Sequence, residues 1–249
     1  MPPPADTDSL HADRVYSKPM ATIEAFRFDS AIADVFQDMI ERSVPGYGLV
    51  LQLIGVLAEK YAIPNTNVYD LGCSLGASTL QLRRHVPSSC HVIGVDNSTA
   101  MVDRCEANLQ RDHSAASYDI RLEDLRETAF ENASIVILTF TLQFIADEER
   151  QTILNRIFDG LEDGGIFLLS EKVKYENEGQ QALMTELHHD FKKMQGYSDL
   201  EISQKRAALE NVLVPNTEDE HLSRLTSAGF RQTAICMRCL NFSTFLGIK

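Results

Sequence analysis

The 249-residue chain contains no apolar run long enough to span a membrane, and its first residues lack the basic-then-apolar order of a secretory signal. Basic residues are also in the minority: 23 Lys and Arg stand against 36 Asp and Glu, which gives a formal net charge of -13. A field of that sign repels phosphate backbones and anionic lipid, so we expect no direct nucleic-acid partner and no membrane partner. These absences predict a cytoplasmic protein.

Cysteine is scarce, and the five cysteines are an odd, scattered set, unlike the disulfide framework of a small secreted protein. Cys236 and Cys239 form a CxxC pair within a predicted strand, where residues three apart point to opposite faces. Without a second CxxC or a nearby His pair, we expect buried structural cysteines and no metal site. The adjacent His188 and His189 point about 100° apart on a helix, so we expect one packed and one exposed ring.

The hydrophobic pattern divides the chain into an arm and one domain. Residues 1–25 are polar and aperiodic, which predicts a loose N-terminal arm, and residues 26–249 form the single domain. Between residues 67 and 170, apolar strands alternate with helices, a pattern typical of a mostly parallel sheet covered on both faces. Two closing strands bring the predicted sheet to seven strands, in a Rossmann-like α/β fold. Helices precede the first strand, and a helical insertion occupies about 175–214.

The densest functional signal follows the first predicted strand. It is the segment Val68-Tyr69-Asp70-Leu71-Gly72-Cys73-Ser74-Leu75-Gly76. Glycines at such a turn let the backbone approach a ligand closely, and the next helix offers free N–H donors. A dinucleotide fold prefers Gly where this chain has Ser74, whereas the carboxylate of Asp70 suits the cationic tail and sulfonium of S-adenosyl-L-methionine. The alternative is an ordinary strand–turn–helix without a ligand.

Further acids follow the next two strands. Asp96, followed by Asn97, ends the second strand and is placed to accept both hydroxyls of a ribose, although it could instead cap the next helix. Asp124, followed by Leu125, comes after the third strand and is placed to hydrogen-bond an adenine amino group. Because ligands of open α/β sheets bind at the carboxyl ends of the strands, Asp70, Asp96 and Asp124 together predict an S-adenosyl-L-methionine site.

Several blocks of the chain closely resemble the carboxy-S-adenosyl-L-methionine synthases of bacterial wobble-uridine modification, which have the class I methyltransferase fold. These blocks are Asp38-Met39-Ile40, Arg42-Ser43-Val44-Pro45-Gly46-Tyr47, the Val68–Gly76 segment, Asp96-Asn97-Ser98, Glu131-Asn132-Ala133-Ser134, Phe140-Thr141-Leu142-Gln143-Phe144, Leu169-Ser170-Glu171-Lys172, His188-His189-Asp190-Phe191-Lys192, Gly196-Tyr197-Ser198 and Glu201-Ile202-Ser203-Gln204-Lys205-Arg206. The resemblance runs from about residue 25 to the C-terminus. Its blocks at 42–47 and 201–206 lie outside the generic methyltransferase motifs and are therefore the most specific.

The resemblance implies an enzyme that converts S-adenosyl-L-methionine and prephenate to carboxy-S-adenosyl-L-methionine and phenylpyruvate. A tRNA carboxymethyltransferase would then use the product. The implied contacts to cofactor or product come from Tyr47, Gly72, Cys73, Ser74, Asp96, Asn97, Asp124, Leu125, Thr139 and Arg206. Two positions depart from the family. Thr139 replaces the usual Asn and keeps a hydroxyl without the amide, and Glu123 replaces a Gly, a change we expect to be tolerated if its side chain faces solvent.

The chemistry is coherent with two of these residues acting as catalytic groups. A sulfonium stabilises a carbanion on its methyl group, and capture of CO₂ there creates a carboxylate that Arg206 and Tyr47 could hold. The alternative for Arg206 is a surface charge paired with Glu210 at i+4. Two other functions use the same fold: a conventional small-molecule methyltransferase, and a non-catalytic S-adenosyl-L-methionine binder. An apolar stripe within residues 178–213 predicts a homodimer.

Overall fold

The computed structural model describes residues 12–249, so residues 1–11 of the predicted arm lie outside the described residues. The helices are α1 (Ser30–Ser43), α2 (Tyr47–Tyr61), α3 (Ala77–His85), α4 (Thr99–Leu109), α5 (Asp147–Gly160), α6 (Glu178–Met194), α7 (Asp199–Leu209) and α8 (Glu218–Ala228). The strands are β1 (Asn67–Leu71), β2 (His91–Asp96), β3 (Ser117–Leu122), β4 (Ala133–Thr139), β5 (Leu161–Lys172), β6 (Gln232–Cys239) and β7 (Phe242–Ile248).

The strands form one sheet in the order β3-β2-β1-β4-β5-β7-β6. The first five strands pair in parallel, and β7 runs antiparallel to both of its neighbours. The predicted seven-stranded, mostly parallel α/β fold is therefore confirmed. The strand order reverses between β1 and β4, and a reversal of this kind opens a crevice at the carboxyl ends of the two strands.

The central strands are apolar on both faces because helices cover both sides of the sheet. On β4, Val136 and Leu138 belong to the core cluster that includes Ile153 and Leu154 of α5. The alternate residues Ile135 and Ile137 of the same strand belong to a second cluster, built with α2 and α3. Successive side chains of a strand point to opposite faces, so one continuous apolar run supplies two separate cores.

The prediction of a loose arm is wrong for residues 12–25, which are tied to the helical insertion. The Gln204 side chain donates hydrogen bonds to the carbonyls of Tyr16 at 2.8 Å and Lys18 at 2.9 Å, and accepts one from the Met20 N–H at 2.7 Å. Asp13 is buried and accepts a hydrogen bond from the Tyr197 hydroxyl. A polar segment without periodicity is ordered here because distant side chains satisfy its backbone groups.

Two helices fill the predicted insertion. Asn177 caps α6 by accepting from the Gln180 N–H, and Ser198 with Glu201 forms a capping box at the start of α7. These caps explain why a stretch between two strands of the sheet forms separate helices. No helix in residues 12–249 combines the length and the apolar character that crossing a membrane requires.

The expectation of buried structural cysteines is wrong for the CxxC pair. Cys236 is exposed and Cys239 is half-buried, and both are free thiols. They lie on β6, the edge strand, whose pairing with β7 shifts register between Ile235 and Met237. An edge strand is covered less completely than a central one, which accounts for the exposure.

Candidate functional site

The glycine turn after β1 has a backbone that only particular residues tolerate. Gly72 and Gly76 have φ values of 79° and 85°, and Ser74 between them has a φ of 49°. A Cβ on Gly72 would lie 2.5 Å from Cγ2 of Thr141, so the turn could not carry a side chain there without displacing its neighbour. The turn therefore packs directly against the loop that follows β4.

Asp96 at the end of β2 braces this turn. Its Oδ2 accepts a hydrogen bond from the backbone N–H of Ser74 at 3.0 Å, and its Oδ1 accepts one from the N–H of Ser98 at 2.9 Å. Burial raises the pKa of Asp96, whereas the backbone donors lower it. The side chain that caps α4 is that of Ser98, which accepts a hydrogen bond from the Met101 N–H, so Asp96 does not have the helix-capping role that was its alternative. Asp96 therefore remains available to a ligand at the crevice.

The third predicted acid is already paired within the chain. Three groups of Arg126, its backbone N–H and two guanidinium nitrogens, contact the Asp124 carboxylate at 2.6–3.1 Å. These hydrogen bonds are the first cause of the lowered pKa of Asp124. The next residue, Leu125, is buried, while Glu123 is half-buried and lines the crevice.

A loop after β4 forms the other side of the crevice, and Glu171 holds it in place. The buried Glu171 carboxylate accepts the backbone N–H groups of Thr141 at 3.1 Å, Leu142 at 2.9 Å and Gln143 at 3.0 Å. The three donors lower the pKa of Glu171, but burial has the larger effect and raises it to about 8. In the sequence, Glu171 is visible only as part of a family block, because its partners become its neighbours only in the folded chain.

These elements enclose a cavity of about 560 Å³. Nine of the ten residues that the resemblance implies as contacts line it: Tyr47, Gly72, Cys73, Ser74, Asp96, Asn97, Asp124, Leu125 and Thr139. Tyr47 opens α2, and its ring lies 6.3 Å from that of Phe140 on the loop after β4. Burial raises the pKa of the Tyr47 hydroxyl well above its usual range, so the group stays protonated and able to donate.

The cavity carries acidic but no basic side chains. Its carboxylates belong to Glu41, Asp96, Glu123 and Asp124, and no Lys, Arg or His of residues 12–249 lines it. A surface of this charge favours a cation such as a sulfonium and disfavours a free carboxylate. The cavity therefore suits S-adenosyl-L-methionine better than it suits an anionic second substrate.

Aromatic residues from the N-terminal segment form a wall that sequence reasoning missed. Phe28 lies 5.2 Å from Phe144 and 6.0 Å from Phe36, measured between ring centroids, and Phe26 packs edge-on against it at 5.1 Å. The Ser98 hydroxyl donates to the Phe28 carbonyl at 2.6 Å, which fixes this segment over the end of β2. In the sequence, the only sign of this aromatic wall is the alternation in Phe26-Arg27-Phe28, because the segment has no helical or strand periodicity.

Two predicted residues lie outside the cavity lining. Asp70 is fully buried below the turn, where its Oδ2 accepts from the Thr79 hydroxyl at 2.6 Å and its Oδ1 has no partner among the described residues. Burial raises the pKa of Asp70 to about 7. Arg206 is exposed on α7, and the predicted pair with Glu210 does not form among the described residues. Of the histidines, His188 is packed and His189 is half-buried rather than exposed.

Comparison with known proteins agrees with this geometry. A methyltransferase-domain family model matches residues 68–165. Two solved structures share the fold: human N-acetylserotonin methyltransferase in complex with SAM and the cyclopropane synthase MmaA2 from Mycobacterium tuberculosis. The match to the first has a TM-score of 0.60 at 18% sequence identity, and it covers 88% of this chain and 55% of the methyltransferase chain. The match to the second has a TM-score of 0.56 at 12% sequence identity, and it covers 74% of this chain and 62% of the cyclopropane synthase chain.

Curated relatives are far more similar along the whole chain. The carboxy-S-adenosyl-L-methionine synthase of Shewanella piezotolerans is 48% identical over 238 residues, which is 95% of this chain and 98% of the relative. The enzyme of the same description from Vibrio campbellii is 47% identical over 238 residues, covering 95% and 97%. With such identity over nearly its full length, the chain belongs to the carboxy-S-adenosyl-L-methionine synthase family.

Proposed function

We propose that this chain carboxylates the methyl carbon of S-adenosyl-L-methionine with CO₂ from prephenate, and releases carboxy-S-adenosyl-L-methionine and phenylpyruvate. The observation that supports this most directly is the acidic cavity on which the glycine turn, Asp96 and the Asp124-Leu125 pair converge. The near-half identity to named synthases supports the carboxylation itself. We likewise propose the use of prephenate and the catalytic roles of individual residues.

The cavity residues fit S-adenosyl-L-methionine in three places. Asp96 keeps lone pairs free beside its two backbone donors and would accept the ribose hydroxyls. The Asp124-Leu125 segment would meet the adenine edge, and Thr139 would offer a hydroxyl to the amino-acid tail. Asp70, with an unpartnered oxygen below the turn, would stabilise the cationic amino group through the field of its carboxylate.

The proposed reaction balances without an external reagent. Prephenate loses its ring carboxyl as CO₂ and its ring hydroxyl as hydroxide, and becomes phenylpyruvate. The hydroxide takes a proton from the methyl group of S-adenosyl-L-methionine and leaves as water. The resulting carbanion, stabilised by the adjacent sulfonium, adds to CO₂ and forms the new carboxylate. The Tyr47 hydroxyl, protonated because it is buried, would donate a hydrogen bond to that carboxylate.

We further propose that the chain works as a homodimer in which Arg206 acts on the cavity of the second copy. The stripe Leu183, Leu187 and Met194 lies on one face of α6, and Met194 is 85% exposed. Arg206 lies on the next helix and is absent from the cavity lining of its own chain. A second copy seated on the stripe would cover it and bring an exposed guanidinium to a cavity that holds no cation.

Mass spectrometry tests the reaction. The purified protein is incubated with S-adenosyl-L-methionine, with and without prephenate. We expect a prephenate-dependent species heavier than the substrate by one CO₂, together with an equal amount of phenylpyruvate. An absence of both products would contradict the proposal. Accumulation of S-adenosylhomocysteine with a methylated acceptor would instead identify a conventional methyltransferase, and binding without turnover would identify a non-catalytic binder.

Protomer mixing tests the shared site. Arg206→Ala and Gly72→Ala proteins are each expected to be inactive, one through the missing guanidinium and the other through the damaged turn. In a mixed dimer, the Arg206→Ala chain has an intact cavity and the Gly72→Ala chain has an intact Arg206 that can reach it. Mixing the two proteins should therefore restore a measurable fraction of activity. Failure to restore activity in a verified heterodimer would contradict the shared site. Met194→Asp should give a monomer by light scattering, and a wild-type monomer would contradict the dimer.

The product would serve a tRNA carboxymethyltransferase, and this chain would act in the cytoplasm on small molecules alone. Its net charge of -13 argues against its own contact with tRNA. Filter binding of purified tRNA, with and without the protein, tests this point. Retention of tRNA at physiological salt would contradict it.

A further inference from the structure

Phe140, the first residue after β4, has a strained backbone. Its φ is 59°, in the left-handed region that is unfavourable for a bulky L-residue. Within residues 12–249 it is the only aromatic residue with a positive φ, whereas Asn65 and Asn132, which share this feature, are of a type that tolerates it. A strained residue persists only where its surroundings over-determine it, and such residues concentrate at functional sites.

Hydrogen bonds on both sides of Phe140 hold this conformation. Its N–H donates to the Ser170 carbonyl of β5 at 2.7 Å, and its own carbonyl accepts from Nε2 of Gln143 at 3.2 Å. The next three backbone N–H groups are those that Glu171 holds. The backbone at Phe140 is therefore fixed by its polar partners, and it gives the ring one direction.

That direction brings the ring of Phe140 to the cavity wall beside Tyr47. The ring is buried, lines the cavity, and lies 6.3 Å from the Tyr47 ring at an angle of 47°. Tyr47 also lines a neighbouring groove, together with Val44 and with Phe191 of α6. Because Tyr47 borders both spaces, it stands between the cavity and the groove, and Phe140 is the aromatic ring packed against it.

The proposed reaction requires a tight wall around the cavity. Prephenate releases CO₂ and hydroxide before the methyl carbon of S-adenosyl-L-methionine is carboxylated, so both must stay beside that carbon. A closed wall excludes water and prevents side reactions of such intermediates. If water entered, CO₂ would escape and the carbanion would take a proton back from solvent. Phenylpyruvate would then form while S-adenosyl-L-methionine returned unchanged.

We propose that Phe140 is a positioning residue that holds the Tyr47 ring in the cavity wall and so couples loss of CO₂ from the second substrate to carboxylation of S-adenosyl-L-methionine. This inference rests on the proposed function and deepens it. The left-handed backbone sets the direction of the Cα–Cβ bond, so the strain determines where the ring lies. A ring that only filled the core between Tyr47 and Phe242 would contribute stability without affecting the coupling.

The ratio of the two products tests the coupling. After subtraction of a blank without protein, the wild type should form equal amounts of phenylpyruvate and carboxylated product. Phe140→Leu loses the ring but keeps an apolar side chain, and should form at least about twofold more phenylpyruvate than carboxylated product. In D₂O, the S-adenosyl-L-methionine recovered from this variant should carry more prephenate-dependent deuterium in its methyl group than that recovered from the wild type.

Phe230→Leu is the matched control for losing a buried ring. Phe230 belongs to the core cluster on the other face of the sheet and does not line the cavity. Its variant should lose stability, yet form equal amounts of both products and add no deuterium beyond the wild type. The thermal midpoint and the Kd for S-adenosyl-L-methionine show whether each variant is folded. If Phe140→Leu does not fold, Phe140→Gly replaces it, because glycine adopts a φ of 59° without strain.

The outcomes separate this role from the proposed function. A wild type that forms neither product contradicts the proposed function, and the coupling role falls with it. Equal amounts of both products from a folded Phe140 variant, without extra deuterium, would overturn the coupling role at any overall rate, while the proposed function stands. An equal excess of phenylpyruvate from Phe230→Leu would overturn the coupling role as well.

Discussion

Asp96 accepts a hydrogen bond from the backbone N–H of Ser74 across 3.0 Å, and so joins the end of β2 to the glycine turn of the neighbouring strand. The same carboxylate accepts the N–H of Ser98 at the start of α4. One acid therefore holds the turn's shape and faces the cavity that the turn lines. Loss of its charge should affect the turn and the ligand together.

Asp96→Asn is expected to weaken S-adenosyl-L-methionine binding more than it weakens the fold. The amide nitrogen of Asn cannot accept a hydrogen bond, so one backbone N–H or one ribose hydroxyl loses its partner. Hydrogen bonds to a charged group contribute about 1.5–3 kcal/mol, which corresponds to a rise in Kd of about 10- to 150-fold. Calorimetry measures the Kd, and Asp103→Asn on the exposed side of α4 is the control. Equal Kd values for both variants would refute this role.

Gly72→Ala tests the close approach between the turn and Thr141. The substitution forces a Cβ both into the left-handed region at a φ of 79° and against the Thr141 side chain. Gly164→Ala is a matched control, since Gly164 has the same φ of 79° and no atom within 4 Å of an added Cβ. We expect Gly164→Ala to cost about 1 kcal/mol of unfolding free energy and Gly72→Ala about 1–3 kcal/mol more. Similar losses in urea titrations would show that no steric conflict exists.

Thr139 tests whether the departure from the family's Asn is tolerated. Its hydroxyl lies in the cavity wall, 3.3 Å from the hydroxyl of Ser78. Thr139→Val removes the hydroxyl at nearly constant shape and should raise the Kd for S-adenosyl-L-methionine about three- to tenfold. Thr139→Asn restores the amide and should keep the wild-type Kd or lower it. If Asn weakens binding as much as Val does, the position is not a ligand contact.

His221 should make the fold sensitive to acid. The buried ring packs 4.9 Å from Phe245, and neither nitrogen has a partner among the described residues. Burial lowers the pKa of His221 to about 3, below the unfolded value of about 6.5, so the unfolded chain binds this proton first as pH falls. The contribution of His221 is therefore complete above pH ~6.5 and is lost as pH falls toward about 3.

His221→Leu removes this titration. Between pH 6 and 4, the unfolding free energy of the wild type should fall more steeply than that of the variant, by up to about 1.4 kcal/mol per pH unit. Urea titrations at several pH values measure the two slopes. His113→Gln, at an exposed position, serves as the control and should keep the wild-type slope. Parallel slopes for wild type and His221→Leu would mean that the ring accepts its proton in the folded state.

Much of the fold could be predicted because its signals are local. The alternation of apolar strands and amphipathic helices predicted seven strands, and the acids at strand ends predicted one edge of the sheet as the site. The start of β5 at Leu161 could not be predicted in this way. Glu162 to Gly165 are polar and mostly exposed, so their strand pairing has no hydrophobic signal.

The sequence by itself determined the element order, the glycine turn and the acids that surround it, because each depends on residues close together in the chain. Only the tertiary structure decided that Phe28 walls the cavity and that Glu171 holds the loop after β4. These relationships join segments that are distant in sequence. Their energies come from desolvation and packing between elements, which no periodicity within one element encodes.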